Sequence, residues 1–354
     1  MTGSFWKGKR VFVTGHTGFK GSWLCAILHM LGAEVSGYAL APEPDFGLFE
    51  IACLAVGIDS VEADIRNVDL LAKEMKERQP EVVFHLAAQP IVKEGYKNPV
   101  YTYETNVMGT VNVLEAVRRC GRVRSFVNVT TDKVYQNNEW AWGYRESDAL
   151  DGYDPYANSK SCSEFVTNAY KRSFLSDVAV STCRAGNVIG GGDFSPNRII
   201  PDCVRAAMRK AEIEIRYPDA IRPYQHVLDP LFAYLLIARR QWEDPAAYQG
   251  AYNVGPDIDG CVKTATLADL FCEAWGRGIR WKHVGQDDAQ HEANLLMLDC
   301  TKAKMMLKWQ PVWTINDAIG RTVHWWQEYI AGNSMFPVME KQIDEYLSGV
   351  TYEI

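Results

Sequence analysis

No two cysteines of this chain stand at the Cys-x-x-Cys spacing of a metal or redox site, and no histidine cluster accompanies them. The nine cysteines, an odd number spread from Cys25 to Cys300, read as unpaired thiols of a reducing compartment, so no metal is expected. Long hydrophobic runs are missing too. Nothing reaches the ~20 apolar residues of a membrane span, and Met1-Thr2-Gly3-Ser4 opens no apolar signal core. A soluble, cytoplasmic protein that does not engage a membrane is the expectation. An excess of basic charge is also lacking: 37 Lys and Arg face 44 Asp and Glu, a net charge of -7. A nucleic-acid surface needs a basic stripe, so no nucleic-acid partner is expected. A small anionic substrate stays open, because a few buried arginines hold a diphosphate. Repeats, low-complexity tracts and Pro/Gly/Ser linkers are absent.

What is present is 354 residues, 47% of them hydrophobic, enough for a large core. Short β-branched runs at 10–14, 34–40, 60–64, 82–86, 124–130 and 178–184 alternate with helical stretches such as 20–31, 68–76, 100–120 and 155–173. That alternation predicts an α/β fold, a doubly wound parallel sheet with helices on both faces. Ligands of such sheets lie beyond the carboxyl ends of the strands. From about Ile189, prolines and glycines break the pattern. Residues 1–188 are therefore expected as the main domain, with a returning segment near 225–256, and 189–354 as a smaller C-terminal lobe. The tryptophan-rich stretches 275–281 and 309–326 read as core packing.

The first strand runs into Gly15-His16-Thr17-Gly18-Phe19-Lys20-Gly21 and then a helix. Gly15 suits a tight turn, Gly18 a close backbone approach to pyrophosphate, and Gly21 close helix–strand packing; the helix start offers N–H groups to phosphate. This predicts a dinucleotide site. The acid that would hold a ribose is not evident at Leu40-Ala41-Pro42, with Glu43 and Asp45 a little further on. No nearby arginine would receive a 2′-phosphate, so NAD is favoured over NADP. Asp64 and Ile65 are candidates to meet the adenine, although Asp64 could equally cap a helix. Leu86, Ala87 and Ala88 leave room for a flat ligand, while His85 reads as a core residue.

Tyr156 and Lys160 stand four apart at a helix start, on one face. An ammonium near the phenol favours phenolate, a base for a hydroxyl proton. Thr131, Asp132 and Lys133 follow the fifth strand, where a reacting carbon would lie. Thr131 could bind a hydroxyl, Asp132 could act as acid and Lys133 as base, each only in a suitable environment. Taken alone, that triplet could be an ordinary turn.

Together these residues resemble the nucleotide-sugar 4,6-dehydratases, lyases of the extended short-chain dehydrogenase/reductase type, whose fold is a Rossmann sheet with a smaller lobe. The stretches 15–23, 87–90, 144–146, 152–156, 184–193 and 222–228 resemble the branch of that family that acts on CDP-glucose, and the likeness spans about residues 6 to 330. The resemblance implies that Tyr156, helped by Lys160 and Thr131, oxidises C4 with NAD as acceptor. Removal of the C5 proton, loss of the C6 hydroxyl through Asp132 and return of the hydride from NADH to C6 then give a 4-keto-6-deoxy sugar, a step of deoxysugar biosynthesis. Dehydratases for dTDP-glucose or GDP-mannose carry Glu where this chain has Lys133, and Lys there fits the CDP-glucose branch. By the same resemblance, Asn106 lies near the nicotinamide, Asn187, Arg198 and Arg222 meet the diphosphate, and Gln89, Tyr135 and His226 neighbour the sugar or base. Helices 100–120 and 155–173 would build a four-helix homodimer interface. Three alternatives stay open: an epimerase, a dehydratase for another sugar nucleotide, and a dinucleotide sensor.

Overall fold

The computed structural model describes residues 5–42, 47–54, 57–285 and 295–354. Its main sheet holds β1 (Arg10–Thr14), β2 (Glu34–Ala39), β3 (Asp59–Glu62), β4 (Val82–His85), β5 (Ser125–Val129), β6 (Ala179–Ala185) and a seventh strand, Gly250–Val254. All pair in parallel, in the order β3-β2-β1-β4-β5-β6-seventh. Every residue of β4, β5 and β6 is buried, as expected of a parallel sheet covered on both faces. The order reverses between β1 and β4. Their carboxyl ends, Thr14 and His85, lie side by side there and open the crevice that such sheets use for ligands.

Helices cover both faces. α1 (Phe19–Met30), α2 (Val68–Arg78), α3 (Gly109–Cys120) and α4 (Pro155–Ser173) come from the first half. α5 (Ile199–Met208), α6 (Leu228–Glu243), α7 (Ile315–Ile330) and α8 (Met335–Gly349) come from the second. The stretch expected as one helix at 100–120 is divided: Pro99–Tyr103, a π turn at Glu104–Met108, then α3. α4 starts where Asp154 accepts a hydrogen bond from the Ala157 N–H and Pro155 fills the first turn.

The described residues beyond Ile189 share a hydrophobic cluster with the main sheet and α1. α6 lies against β5 and β6, α7 packs on α8, and α8 reaches α1. One hydrophobic cluster runs from Trp6 and Trp23 through Leu231, Phe232 and Leu235 to Trp309, Trp325 and Tyr346. Among the described residues, three two-stranded pieces stand apart from the main sheet: Val188–Ile189 with Gln225–His226, Ile221–Pro223 with Cys261–Lys263, and Ile213–Ile215 with Trp281–His283. Among the described residues no helix is long and apolar enough to cross a membrane, and no cluster of His, Cys, Asp and Glu could hold a metal ion.

Asp229, at the start of α6, is fully buried. Its Oδ1 accepts from the Val312 N–H at 2.9 Å and the Tyr346 hydroxyl at 2.8 Å, while Oδ2 has no partner. Burial pushes its pKa up to about 7. Because the folded value lies above the unfolded one, the native state binds the extra proton between about pH 4 and 7, and stability falls as pH rises through that window. Asp229→Asn keeps the Oδ1 acceptor without the charge. We expect it to flatten this slope and to raise stability at pH 8 by about 1–3 kcal/mol in urea titrations; a loss of stability at pH 8 would contradict the assignment.

Candidate active site

A cleft of about 750 Å³ runs along the carboxyl ends of the strands. One end is built by the turn from β1 into α1. Gly15 has φ +74, and a Cβ there would stand 2.6 Å from the Ala87 nitrogen, so only glycine fits the turn. A Cβ on Gly21 would collide with the Gly15 carbonyl. A Cβ on Gly18 would meet nothing nearer than the Gly15 carbonyl oxygen at 3.4 Å, so that backbone faces open cleft. Thr17, Phe19 and Lys20 complete this wall, Leu86 and Ala87 lie against Gly15, and Ala88, Asp64 and Ile65 also line the cleft. The Thr17 hydroxyl donates to the Leu40 carbonyl at 3.0 Å. Asp64 is held by its neighbour: its carboxylate accepts from the Arg66 N–H and guanidinium at 2.7–2.9 Å. Glu43 and Asp45 lie outside the described residues.

At the centre, Thr131, Lys133, Tyr156 and Lys160 line the cleft together. Asp132 lies just behind them, fully buried. Its Oδ1 accepts from the Thr131 hydroxyl at 2.9 Å and from Lys133 Nζ at 3.2 Å, and its Oδ2 has no protein partner. A side chain at Gly186 would occupy the space of that carboxylate. Burial raises the Tyr156 pKa, opposed by the Lys133 charge, a hydrogen bond with Thr131 and the Arg198 charge. Lys160 donates to the Val129 carbonyl at 3.1 Å, and burial lowers its pKa to about 8 against the pull of Glu164. Lys20 falls to about 7, through burial and then the charges of Arg198 and Lys160. Cations therefore crowd this region of an otherwise acidic protein.

The other end is lined by Asn187, Arg198 and Arg222, with Glu214, Arg216 and Tyr217 beyond. Asn187 has a φ of +37, and its side-chain nitrogen is buried with no protein partner. Besides Asp132, four residues expected at the site do not line the cleft. Asn106, in the π turn, clamps Gln89 from both sides, accepting from its N–H at 2.8 Å and donating to its carbonyl at 3.0 Å. The Gln89 side chain turns to Thr102 and the Ile91 N–H. Tyr135 is buried between Asn253 and Arg184. His226 is buried with its ring against Trp23 and Trp313, and that burial lowers its pKa to about 3.

Two carboxylates escaped the sequence reading. Glu164, one helical turn after Lys160, accepts from Thr130 at 2.6 Å, Thr182 at 2.7 Å, and Arg184 Nε and Nη2 at 3.0 and 2.9 Å. The repeated spacing 156, 160, 164 on one helix face was the available signal. Asp193 lines the cleft and pairs with Arg198; only its place in a longer motif pointed to it. Removing one partner of a buried pair strands the other charge. We therefore expect Glu164→Ala to cost about 3–5 kcal/mol of stability, and Glu164→Gln clearly less, because the amide still accepts from the hydroxyls. Equal losses in urea unfolding of the two variants would contradict this.

The residues fit a dinucleotide: a glycine cradle ending on the N–H groups of α1, a wall at Leu86–Ala88, and a Tyr/Lys pair at the centre of the same cleft. Comparison with known proteins points the same way. The family model described as GDP-mannose 4,6 dehydratase matches residues 12–322. A CDP-glucose 4,6-dehydratase of Salmonella typhimurium is 44% identical over 98% of this chain and 99% of its own. A dTDP-glucose 4,6-dehydratase of Streptomyces antibioticus is 29% identical over 90% and 92%. Among solved structures, a dTDP-glucose 4,6-dehydratase from Streptomyces venezuelae with NAD and TYD bound superposes with a TM-score of 0.78 at 24% identity, covering 92% of this chain and 99% of that one. A UDP-glucose 4-epimerase from Stenotrophomonas maltophila reaches 0.80 at 22% over 92% and 99%, so those likenesses speak for the fold alone. With the family model covering most of its length and a relative at 44% identity end to end, the chain belongs to the GDP-mannose 4,6 dehydratase family, the short-chain-dehydrogenase type of nucleotide-sugar dehydratase.

Proposed function

We propose that the chain is a CDP-glucose 4,6-dehydratase, a lyase that converts CDP-glucose to CDP-4-keto-6-deoxyglucose and water. The observation that carries this is the convergence of Tyr156, Thr131, Asp132 and Lys133 at the centre of a dinucleotide-type cleft, in a chain 44% identical to a CDP-glucose 4,6-dehydratase. Gly15–Gly21, Asp64–Ile65 and Leu86–Ala88 would hold NAD, which would supply a hydride acceptor for C4 and a hydride donor for C6. Tyr156 takes the proton of the 4-hydroxyl. The resulting 4-keto group acidifies C5, Lys133 removes the C5 proton, and Asp132 protonates the departing 6-hydroxyl. Lys133 Nζ lies 3.2 Å from Asp132 Oδ1, so one proton moved between them turns ammonium and carboxylate into the amine and acid that elimination uses. Lys133 then returns a proton to C5. Thr131 joins Tyr156 to Asp132, so the proton gained by Tyr156 can replace the one lost in water.

Arg198, Arg222 and Asn187 are assigned to the diphosphate, where planar guanidinium groups suit paired oxygens. The roles of Asn106 and Gln89 are positional, since they brace the cleft wall from behind. An epimerase would need no acid and base at C5 and C6, and the Asp132–Lys133 pair favours the dehydratase.

The chain is also assigned a homodimer. Val100, Tyr103 and Met108 are exposed on the helical stretch before α3, and Phe165 on α4. Val100, Tyr103, Met108 and Cys162 share one shallow apolar depression. Pairing that face with a second copy would bury it in four helices. The nine free cysteines support a reducing, cytoplasmic setting.

Incubation with CDP-glucose, dTDP-glucose, UDP-glucose and GDP-mannose, read by mass spectrometry, tests the assignment: water should be lost from CDP-glucose. Loss from another sugar nucleotide alone would remove the CDP assignment, and loss from none would remove the dehydratase. Lys133→Met should abolish exchange of the C5 proton with solvent; near-normal exchange would move the base elsewhere. Phe165→Lys should shift the protein to a monomer in sedimentation, and an unchanged mass would place the interface on another face.

A further inference from the structure

Arg198, assigned above to the substrate's diphosphate, already has an anionic partner. Its Nη1 donates to Asp193 Oδ2 at 3.0 Å, and Asp193 Oδ1 accepts from the Ser195 N–H at 3.1 Å. The two partners differ in access: the Asp193 side chain is 4% exposed, that of Arg198 34%. Asp193 is thus locked into the wall by a backbone donor, while Arg198 reaches into the cleft just ahead of α5, and both line it. Lys20 from the glycine turn lines the same cleft, and its charge is felt together with those of Arg198 and Asp193.

We propose that Asp193 is a positioning residue that competes with the substrate's diphosphate for Arg198. The proposal rests on the nucleotide-sugar reading of the cleft. The Asp193–Arg198 bond aims the guanidinium along the cleft. A phosphate oxygen that engages Arg198 must displace or share the Asp193 contact and must approach a buried negative charge, so part of the favourable Arg–phosphate interaction is cancelled. Substrate and product carry the same diphosphate. The competition therefore weakens both alike and keeps the product from being held too tightly, a loss of uniform binding rather than of transition-state binding. Ligands without phosphate do not meet Arg198 and are indifferent to it.

Asp193→Asn keeps the side-chain shape and the acceptor for Ser195 while removing the charge. With the NAD-loaded protein and calorimetry or ligand-detected NMR, we expect CDP to bind about tenfold more tightly to this variant, with cytidine unchanged. KM for the sugar nucleotide should fall, and kcat should not rise. In an Arg198→Met background the same Asn substitution should have no effect on CDP, because the competition needs both partners. A purely structural Asp193 would instead weaken CDP and cytidine together. Unchanged or weakened CDP binding in Asp193→Asn, or an equal gain in the Arg198→Met background, would overturn the proposal. If the unsubstituted protein bound neither CDP nor cytidine, the nucleotide-sugar reading itself would fall, and this inference with it.

Discussion

The buried carboxylate of Glu164 is the contact on which the reacting groups depend. It sits on α4 one turn beyond Lys160 and receives four donors, from Thr130 at the end of β5 and from Thr182 and Arg184 on β6. All its acceptor capacity is used, which makes a fully buried charge tolerable there. Arg184 continues to Tyr135 and to the Glu146 carbonyl. Two strand ends and one helix are thereby tied at a single point. Tyr156 and Lys160 project from that helix, and Thr131, Asp132 and Lys133 continue from one of those strands. A rigid support of this kind holds a reacting constellation to the geometry it needs.

Around that anchor the cleft is electrostatically arranged against the protein's overall sign. The chain carries a net charge of -7, yet Lys20, Lys133, Lys160, Arg198 and Arg222 line the cleft. Burial brings Lys160 down to about 8, and burial together with the charges of Arg198 and Lys160 brings Lys20 down to about 7. Asp132 and Asp193 answer them from the walls. Such a balance suits a dianionic ligand and a reaction that moves several protons without exchanging a net charge with solvent. A few placed cations of this kind can hold a diphosphate on a protein of net negative charge, which is the role proposed for Arg198 and Arg222.

Much of this was legible in the sequence because buried parallel strands read as unbroken apolar runs: β1 and α4 begin and end where patterning put them. β3 was less clear, since it is a short edge strand with mostly exposed residues. The π turn at Glu104–Met108 was invisible, because one inserted residue leaves hydrophobic periodicity almost unchanged. Motif residues at strand ends, from Gly15 to Lys160, fall in the cleft because the sheet places every carboxyl end along one line. Tyr135, Gln89 and His226 do not, since nearness to a motif in sequence says nothing of which way a side chain turns. Glu164 and Asp193 were overlooked for a related reason: a charged residue reads as surface until its partners, twenty residues on for Glu164 and five for Asp193, are brought to it by the fold.

The proposed reaction has one site oxidise C4, eliminate across C5 and C6, and return the same hydride to C6. CDP-glucose deuterated at C4, converted by the purified protein and read by NMR, tests this most directly. The account predicts a product that carries the deuterium on its C6 methyl group, with none left at C4. Deuterium retained on C4 of an unreduced-at-C6 sugar, as an epimerase would leave it, or deuterium lost to solvent, would contradict it.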